Sequence, residues 1–446
     1  MIPIATGMVS PAVGARRLGA LGTLRAFRRD PLGLLERLAA EGDVVRARVP
    51  GADSWLLNHP DLVQGVFVTD HRSFHKGPTI QATKMLLGES LLTSEGDYHQ
   101  RHRRLIQPLF HREPIASYAG AMVRHATMMS DGWRDGQSFD ARAEMAALTL
   151  AVVGEALFGI GVGDHRARVV TGALTDALEI FDRVYSPLYR LIVRLPSPTM
   201  RRYRRIESQL NRVVEGMIAE RRNGPRGDDV LSLLLDASEN GDGMTDRQVR
   251  DEALTLFLAG HETTANALAW TWWLLSEHRD SERALHAELD HVLDDREPTF
   301  EDLPRLRYTD AVISESLRLR PPAWAIGRTA IAEHRAGEHT ITKGSIVVVS
   351  PWLLHHDPRW WRDGDTFRPE RWLEVDDRPR YAYMPFGAGP RACVGRPFAQ
   401  TEATLVLATI ARRWRLRVRP GAPIDPQAVL TLRPRYGVPV IAERRS

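Results

Sequence analysis

The chain contains a single cysteine, and the residues around it have the composition of a metal-binding loop. Cys393 shares the stretch Phe386 to Gly395 with three glycines: Gly387, Gly389 and Gly395. Glycine removes the side chains that would block close approach of the backbone to a bound group. A helical pattern with Pro397 in its first turn follows, so Cys393 precedes a helix N-terminus, where the dipole lowers the pKa of a thiol. These features predict that Cys393 binds a metal as a thiolate.

Two other roles for Cys393 stay open on this evidence alone. A lone cysteine in an intracellular protein is most often a small, buried, apolar residue. A nucleophilic cysteine would need a partner histidine, and the sequence does not place one beside it. The pattern of the complete loop is needed to choose among the three roles.

The complete loop matches Phe-Gly-x-Gly-x-Arg-x-Cys-x-Gly at every fixed position. It thereby resembles the haem-binding loop of the cytochrome P-450 (haem-thiolate monooxygenase) family, in its bacterial type. The resemblance implies that Cys393 is the thiolate ligand of the iron of a haem b. It also implies that Phe386, Gly387 and Arg391 contact the haem, with Arg391 at a propionate-binding position.

Composition and length indicate a globular protein with a large core. Hydrophobic residues make up 43% of the 446 residues and charged residues 26%, which are ordinary values. The net charge of +4 arises from 60 basic and 56 acidic residues, so it does not indicate a nucleic-acid partner. No leader pattern and no apolar run of membrane-spanning length is present, and one cysteine suits a reducing compartment. We therefore expect a cytoplasmic monomer without a membrane anchor.

Helical periodicity dominates the sequence, and strand patterns are short. Apolar residues recur three and four positions apart in residues 31–41, 139–158, 202–222 and 283–293. Strand-like runs occupy residues 44–49, 55–58 and 345–350. No linker rich in serine or glycine divides the chain. The patterns and the resemblance both predict a mainly α fold with small β-sheets, in a single domain over residues 1–446.

A basic segment lies before the first long apolar helices. His99 and Arg103 are four residues apart, so on a helix they share one face. The residues alone favour a solvated basic face. The resemblance implies instead that both donate hydrogen bonds to the haem propionates, and it aligns Arg328 with a further propionate-binding position.

A long apolar helix carries polar residues and a glycine at its centre, around Gly260, Glu262 and Thr263. Thr245 and Gln248 form a capping-box pattern at its start, and a central glycine costs about 1 kcal/mol relative to alanine. One explanation is close helix crossing at Gly260, with threonine hydroxyls bonding back to carbonyls one turn earlier. The other is function. The resemblance implies a widened turn in which Thr263 hydrogen-bonds dioxygen and Glu262 connects it to a proton supply.

Glu315 and Arg318 are three apart on one predicted helix face, a spacing that usually marks a weak surface ion pair. Apolar neighbours such as Val312 and Leu317 indicate that this pair is partly buried and needs further partners. The resemblance implies that Arg371 completes a network that braces the cysteine loop.

The resemblance as a whole implies a monooxygenase that activates dioxygen and inserts one oxygen atom into a hydrophobic small molecule. A cysteine ligand favours O–O cleavage. Since the chain has no recognisable flavin or iron–sulfur motif, electrons are expected from NAD(P)H through a ferredoxin and a ferredoxin reductase. Arg412 and Arg413, in an arginine-rich C-terminal region, are candidates for docking the ferredoxin. A non-catalytic haem protein that binds a ligand and a peroxide-driven hydroxylase are the alternatives.

By the same resemblance, the substrate pocket is expected to have mostly apolar walls, from residues 78–87, 181–189, 257–264, 324–326 and Leu430. Such walls favour a hydrophobic substrate. A terpenoid or polyketide of bacterial secondary metabolism is the class that the resemblance suggests.

Overall fold

A computed structural model of the chain describes residues 18–159, 169, 172–173, 197–224, 227, 229–237, 243–375 and 377–445. Over these residues the fold is mainly helical, with small β-sheets, as predicted. The helices are, in chain order, α1 (Ala20–Arg29), α2 (Pro31–Ala39), α3 (Pro60–Gln64), α4 (Pro78–Leu87), α5 (Gly96–Ile106), α6 (Arg112–Asp131), α7 (Ala141–Phe158), α8 (Pro198–Asn223), α9 (Val230–Ala237), α10 (Asp246–Glu277), α11 (Arg279–Leu293), α12 (Arg307–Leu319), α13 (Pro351–His356) and α14 (Arg396–Ala411).

The strands form one larger and three smaller sheets in the described part of the chain. The larger sheet has the order β1-β2-β8-β5-β3, and the others pair β6 with β7, β10 with β11, and β4 and β9 with β12. The bounds are β1 (Val44–Val49), β2 (Ala52–Leu57), β3 (Phe74–Lys76), β4 (Ser138–Asp140), β5 (Ile326–Ala330), β6 (His334–Ala336), β7 (His339–Ile341), β8 (Ile346–Val349), β9 (Trp414–Val418), β10 (Pro426–Ala428), β11 (Leu432–Pro434) and β12 (Pro439–Arg444).

Helix boundaries follow from local capping chemistry. The capping box predicted for α10 is formed, because the Gln248 backbone N–H donates to Thr245 Oγ1 at 3.3 Å and the Thr245 backbone N–H donates to Gln248 Oε1 at 2.8 Å. The Asp140 side chain accepts from the N–H of Arg142, so α7 begins two residues later than the periodicity suggested. Gly395 precedes α14, and Pro397 lies in its first turn.

The core lies around α10, which runs through the middle of the fold against α7 and α14. Its C-terminal half is buried on most sides, and Trp270 and Trp272 are completely buried there. Burial on this scale fixes α10 and α14 relative to each other, and these are the elements that carry the predicted oxygen site and follow the cysteine loop. No described helix is both long and apolar enough to cross a membrane.

Candidate active site

The cysteine loop is a tight turn held by its own backbone. The Cys393 N–H donates to the Phe386 carbonyl at 2.9 Å, and the half-buried Phe386 ring lies 5.7 Å from the Arg396 guanidinium. Gly387 and Gly389 have φ angles of 71° and 69°, which favour glycine. A Cβ at Gly389 would also overlap the carbonyl oxygen of Phe67. The glycines therefore allow the loop to turn and to lie against the backbone before β3.

The Cys393 thiol lies deep among protein atoms, yet its side chain is exposed toward a space inside the fold. Burial raises its pKa, while the N–H groups of Gly395 and Arg396 and the charge of Arg103 lower it. The N–H groups at the helix N-terminus thus lower the pKa of the thiol as expected, but desolvation, which the sequence does not show, is the larger effect.

The Glu315 carboxylate is the centre of a buried ionic network. Arg318 donates to it from Nε at 2.9 Å and from Nη2 at 2.8 Å, and Arg371 donates from Nε at 3.0 Å. Trp372 Nε1 adds a further bond at 2.9 Å. Burial would raise the pKa of Glu315, but Arg318 and Arg371 hold it below its usual value. The structure thus forms the predicted network, with Trp372 as a member.

A histidine connects this network to the cysteine loop. Arg318 Nη1 donates to the His355 carbonyl at 2.6 Å, and His355 Nε2 accepts from the Met384 N–H at 2.9 Å. The Met384 carbonyl in turn accepts from Gly387 at 3.0 Å. Burial and Arg318 lower the pKa of His355 to about 3. A neutral His355 can accept at Nε2 only while Nδ1 is protonated. Through these two bonds, His355 connects Arg318 of the network to Met384, just before the cysteine loop.

On α5, His99 and Arg103 lie beside the cysteine loop. Arg103 Nη1 donates to the carbonyl of Ala392, the residue before Cys393, at 2.7 Å, and burial lowers the pKa of Arg103. His99 is buried, and desolvation together with nearby Lys76 and Arg391 lowers its pKa to about 3. The solvated basic face favoured by the residues alone is therefore wrong for this pair.

Glu95, the residue directly before α5, accepts hydrogen bonds from Arg391 and from the backbone of Lys76. Arg391 Nη2 donates to its Oε2 at 2.8 Å, and the Lys76 backbone N–H donates to its Oε1 at 2.5 Å. The buried Lys76 ammonium donates to the carbonyls of Leu91 and Ser94, both at 2.7 Å. Desolvation lowers the pKa of Lys76 to about 7, against the charge of Glu95.

Arg328, on β5, completes this group. Its guanidinium lies 4.4 Å from the centre of the Phe67 ring and donates to the Gly327 carbonyl at 3.1 Å. Burial and the charge of Arg391 lower its pKa to about 10. We call Lys76, His99, Arg103, Arg328 and Arg391 the basic cluster. The carboxylate of Glu95 alone does not balance it.

The centre of α10 opens toward an internal space. Ala259 is exposed and residues 260–263 are half-buried, although the helix is buried on either side. The Thr263 hydroxyl donates to the Ala259 carbonyl at 2.6 Å, and a Cβ at Gly260 would lie 3.1 Å from Val153 Cγ2. Residues 246–277 form one continuous α-helix, so the expected widened turn is absent there. The close crossing of α10 with α7 at Gly260 and the bond from the Thr263 hydroxyl back to a carbonyl one turn earlier are therefore both present.

Glu262 points to the C-terminal hairpin of β10 and β11. Its Oε1 accepts from Thr431 Oγ1 at 2.9 Å and lies 3.9 Å from Nη1 of Arg433. Glu262 and Thr263 are therefore adjacent on α10 but have different partners.

Two other expectations change with the structure. Arg412 and Arg413 both donate to Glu297, at 2.7 and 2.8 Å, and Arg413 also donates to Asp131. As docking residues, Arg412 and Arg413 would have to break these internal ion pairs to bind a ferredoxin.

Trp324, expected at the pocket wall, is buried and donates from Nε1 to the Val429 carbonyl at 2.8 Å. The expected wall at 181–189 lies outside the described residues.

Comparison with known sequences agrees with this geometry. A sequence model of the family described as Cytochrome P450 matches residues 14–439, which is almost the whole chain. The chain belongs to the cytochrome P-450 family. It is a cytochrome P-450 monooxygenase, as the cysteine loop predicted.

Curated relatives of this cytochrome P-450 include bacterial terpenoid oxygenases. It is 41% identical to cyclooctat-9-en-7-ol 5-monooxygenase of Streptomyces melanosporofaciens, over 90% of this chain and 88% of that protein. It is 40% identical to cyclooctatin synthase of the same organism, over 91% and 89%. Pentalenene oxygenase of Streptomyces avermitilis is 35% identical, over 91% of each chain.

Membership in the cytochrome P-450 family implies haem with a cysteine thiolate ligand and the use of dioxygen. The described residues fit this group. A thiol is exposed to an internal space at a helix N-terminus, and the basic cluster has more positive charge than Glu95 balances. The two carboxylates of a haem would supply the missing negative charge.

Sequence reasoning missed several residues of this cytochrome P-450 site. Lys76, Glu95 and His355 lie outside the recognised motifs, and each looks like an ordinary surface residue in the sequence. Thr431 follows the pocket residue Leu430, but nothing in its neighbours points to Glu262. The one available signal was Glu95, an acidic residue directly before the helix that carries His99 and Arg103.

Proposed function

We propose that this cytochrome P-450 hydroxylates a polycyclic terpenoid, with Cys393 as the thiolate ligand of haem b. The observation that carries the proposal is the thiol of Cys393, exposed inside the fold at the start of α14. The names of the relatives support the substrate class, since cyclooctat-9-en-7-ol and pentalenene are the compounds named in two of them. The exposed Ala259 and the half-buried Ile326 are apolar residues that suit such a substrate.

The basic cluster would bind the haem carboxylates. In this proposal His99, Arg103 and Arg328 bind them together with Arg391, and Lys76 joins the residues that the sequence suggested. Phe386 and Gly387 would contact the ring of the haem on the cysteine side. Glu95 would hold Arg391 in place through its 2.8 Å ion pair. Bound haem supplies the oxygen chemistry, and the thiolate ligand promotes O–O cleavage.

Thr263 and Glu262 would handle protons. The Thr263 hydrogen goes to the Ala259 carbonyl, so Oγ1 presents its lone pairs to the internal space and can accept a hydrogen bond from a proton-bearing group there. Glu262 would exchange protons between its carboxylate and water, because it is half-buried and next to Thr263.

Electrons would come from NAD(P)H through a ferredoxin and its reductase. A cytoplasmic location, a monomeric state and the domain limits 1–446 stay predictions from the sequence.

The carbon monoxide difference spectrum of the reduced protein tests the haem site. We expect the Soret band of a thiolate-ligated haem, and its loss in Cys393→Ser. A histidine-type band in the unaltered protein would contradict the proposal.

Optical titration tests the substrate class. Cyclooctat-9-en-7-ol and pentalenene are expected to shift the haem absorption on binding, and a linear alkane of similar carbon number serves as the control. Product formation with a ferredoxin system, compared with peroxide alone, then separates the monooxygenase from a peroxide-driven hydroxylase. Equal shifts with the alkane would remove the terpenoid assignment and leave the haem site intact.

A further inference from the structure

The Glu262 carboxylate is held by the C-terminal hairpin of β10 and β11 and its connecting loop, residues 429–431. The Thr431 hydroxyl donates to Glu262 Oε1 at 2.9 Å, and Arg433 Nη1 lies 3.9 Å from the same oxygen. The side chain of Glu262 is 12% exposed and that of Arg433 23%. Both interactions fall on one oxygen atom, so the hairpin determines how the carboxylate is oriented.

Thr431 is itself held in place by buried groups. It is 7% exposed, and its Oγ1 accepts a hydrogen bond from Nδ2 of Asn266 at 3.2 Å. Asn266 lies one turn after Glu262 on α10, is 1% exposed, and accepts from Nε of Arg142 at 3.3 Å. With the Asn266 amide donating to its oxygen, the Thr431 hydroxyl directs its own hydrogen to Glu262.

The hairpin is also attached rigidly to α10 and to the segment before β5. Trp270 Nε1 donates to the Leu432 carbonyl at 3.1 Å, and the Leu432 N–H donates to the Pro322 carbonyl at 2.9 Å. Arg433 Nε bonds Gln427 Oε1 across the hairpin at 3.2 Å. The Thr431 hydroxyl is thus a fixed donor.

We propose that Thr431 is a positioning residue for the monooxygenase reaction: its hydroxyl orients the Glu262 carboxylate beside Thr263 for proton exchange. The proposal rests on the proton-handling role given to Glu262 under the proposed function. It assigns to the hairpin loop a task that the motifs of the sequence do not contain. The loop residue acts through Glu262 and is not itself a reacting group.

Two arginines face the Glu262 carboxylate on the side of the Thr431 hydroxyl. Arg433 faces it from β11, and Arg142 faces it from the start of α7, where burial lowers the arginine pKa and Glu262 raises it. His261, on α10 itself, has its pKa lowered to about 4 by burial and Arg142, so it adds no positive charge at neutral pH. Losing the Thr431 donor removes the hydrogen bond that sets the direction of the carboxylate between these arginines.

Infrared difference spectroscopy of the haem-loaded protein tests this directly. The difference between unaltered protein and Glu262→Gln identifies the carboxylate band of Glu262. Thr431→Val, which removes the donor, should shift the frequency of that band, and Thr431→Ser, which keeps the hydroxyl, should restore it. Thr271→Val is the matched control, because Thr271 is a buried α10 threonine whose hydroxyl bonds only back to the Ala267 carbonyl in the described structure, at 2.8 Å. An unchanged band frequency in Thr431→Val would overturn the proposal.

Coupling of electron use to product formation gives the functional readout, with cyclooctat-9-en-7-ol as the probe and a ferredoxin system as electron donor. Thr431→Val should lower product per NAD(P)H about tenfold, as expected for one lost hydrogen bond to a charged group. The double variant with Glu262→Gln should fall no further than Glu262→Gln alone. Additive losses would mean that Thr431 acts independently of Glu262, and would refute the proposal. The carbon monoxide spectrum of each variant separates these outcomes from a failure of the haem site itself.

Discussion

Two buried ionic groups brace this molecule, and they differ in whether the protein balances their charge. Around Glu315, the charges of Arg318 and Arg371 are held by a fully buried carboxylate and by backbone carbonyls. In the basic cluster, the charged side chains are those of Lys76, Arg103, Arg328 and Arg391, with the carboxylate of Glu95 beside them and Glu252 also acting on Lys76, and His99 adds no charge at neutral pH because its pKa is about 3. Burial lowers the pKa of Lys76, Arg103 and Arg328 in that cluster. Burial also lowers the pKa of Arg371 in the Glu315 network, but there the arginines hold the pKa of Glu315 below its usual value.

The contrast distinguishes a structural ion network from a binding site. A network satisfied within the protein lowers the free energy of the folded state only while every member is present. A cluster with excess charge is unfavourable until a partner of opposite charge arrives. The Glu315 network therefore contributes to the fold, and the basic cluster to the affinity for a dianionic ligand such as haem.

Removing the central acid should have the largest effect. Glu315→Gln leaves Arg318 and Arg371 buried without a counter-charge, so we expect the free energy of unfolding to fall by about 5 kcal/mol, with or without haem. Denaturant unfolding measures this. Glu374→Gln, which breaks the exposed 2.7 Å pair with Arg368, is the control and should cost less than about 1 kcal/mol. Similar losses in the two variants would show that the Glu315 network is no more than a surface pair.

The haem-free protein should become more stable as pH rises from 7 toward 10.5. Lys76 has a pKa of about 7 when folded and 10.5 ordinarily, so between these values the unfolded state binds the extra proton and stability increases with pH. The cost of the buried ammonium is fully present below pH 7, and its removal is worth up to about 5 kcal/mol.

Unfolding of the haem-free protein at a series of pH values checks this, with Lys76→Met expected to flatten the profile. Adding haem should flatten it too, because the ligand carboxylates favour the charged lysine. A profile that stays steep in Lys76→Met would assign the pH dependence to other groups.

Arg328→Met should weaken haem binding by about tenfold, the effect of one lost charge-assisted bond. The same change should not destabilise the haem-free protein, since it removes an unbalanced buried charge. Haem transfer to a scavenger protein and thermal unfolding measure the two effects. Arg412→Met is the matched control, because Arg412 is similarly buried but paired with Glu297; it should lose stability and keep its haem affinity. The reverse pattern would contradict the distinction between the two kinds of cluster.

A comparably small effect is expected at the edge of the Glu315 network. Trp372→Phe keeps an aromatic ring beside Tyr383 but loses the 2.9 Å bond from Nε1 to Glu315. We expect a loss of about 1.5 kcal/mol in unfolding free energy and unchanged haem affinity. A denaturation midpoint equal to that of the unaltered protein would remove Trp372 from the network.

The sequence predicted those parts of the molecule that depend on local pattern. The helices, the short strands and the capping box at Thr245 follow from periodicity and turn chemistry, and the cysteine loop is a contiguous motif. Lys76 and Thr431 could not be predicted, because their roles come from partners brought close only by the tertiary fold. The direction of the Cys393 pKa could not be predicted, because a sequence shows the helix N-terminus but not the desolvation that outweighs it.

The long-range bond from Arg103 to Ala392 also bears on the order of events during synthesis. The two residues are 289 positions apart, and Arg391 likewise reaches back to Glu95. At a translation rate of about 5–20 residues per second, Ala392 and Arg391 are synthesised on the order of half a minute after Arg103 and Glu95. The haem cradle can therefore be completed only after the ribosome has made the chain past Ala392, and cofactor capture follows α5 by that interval.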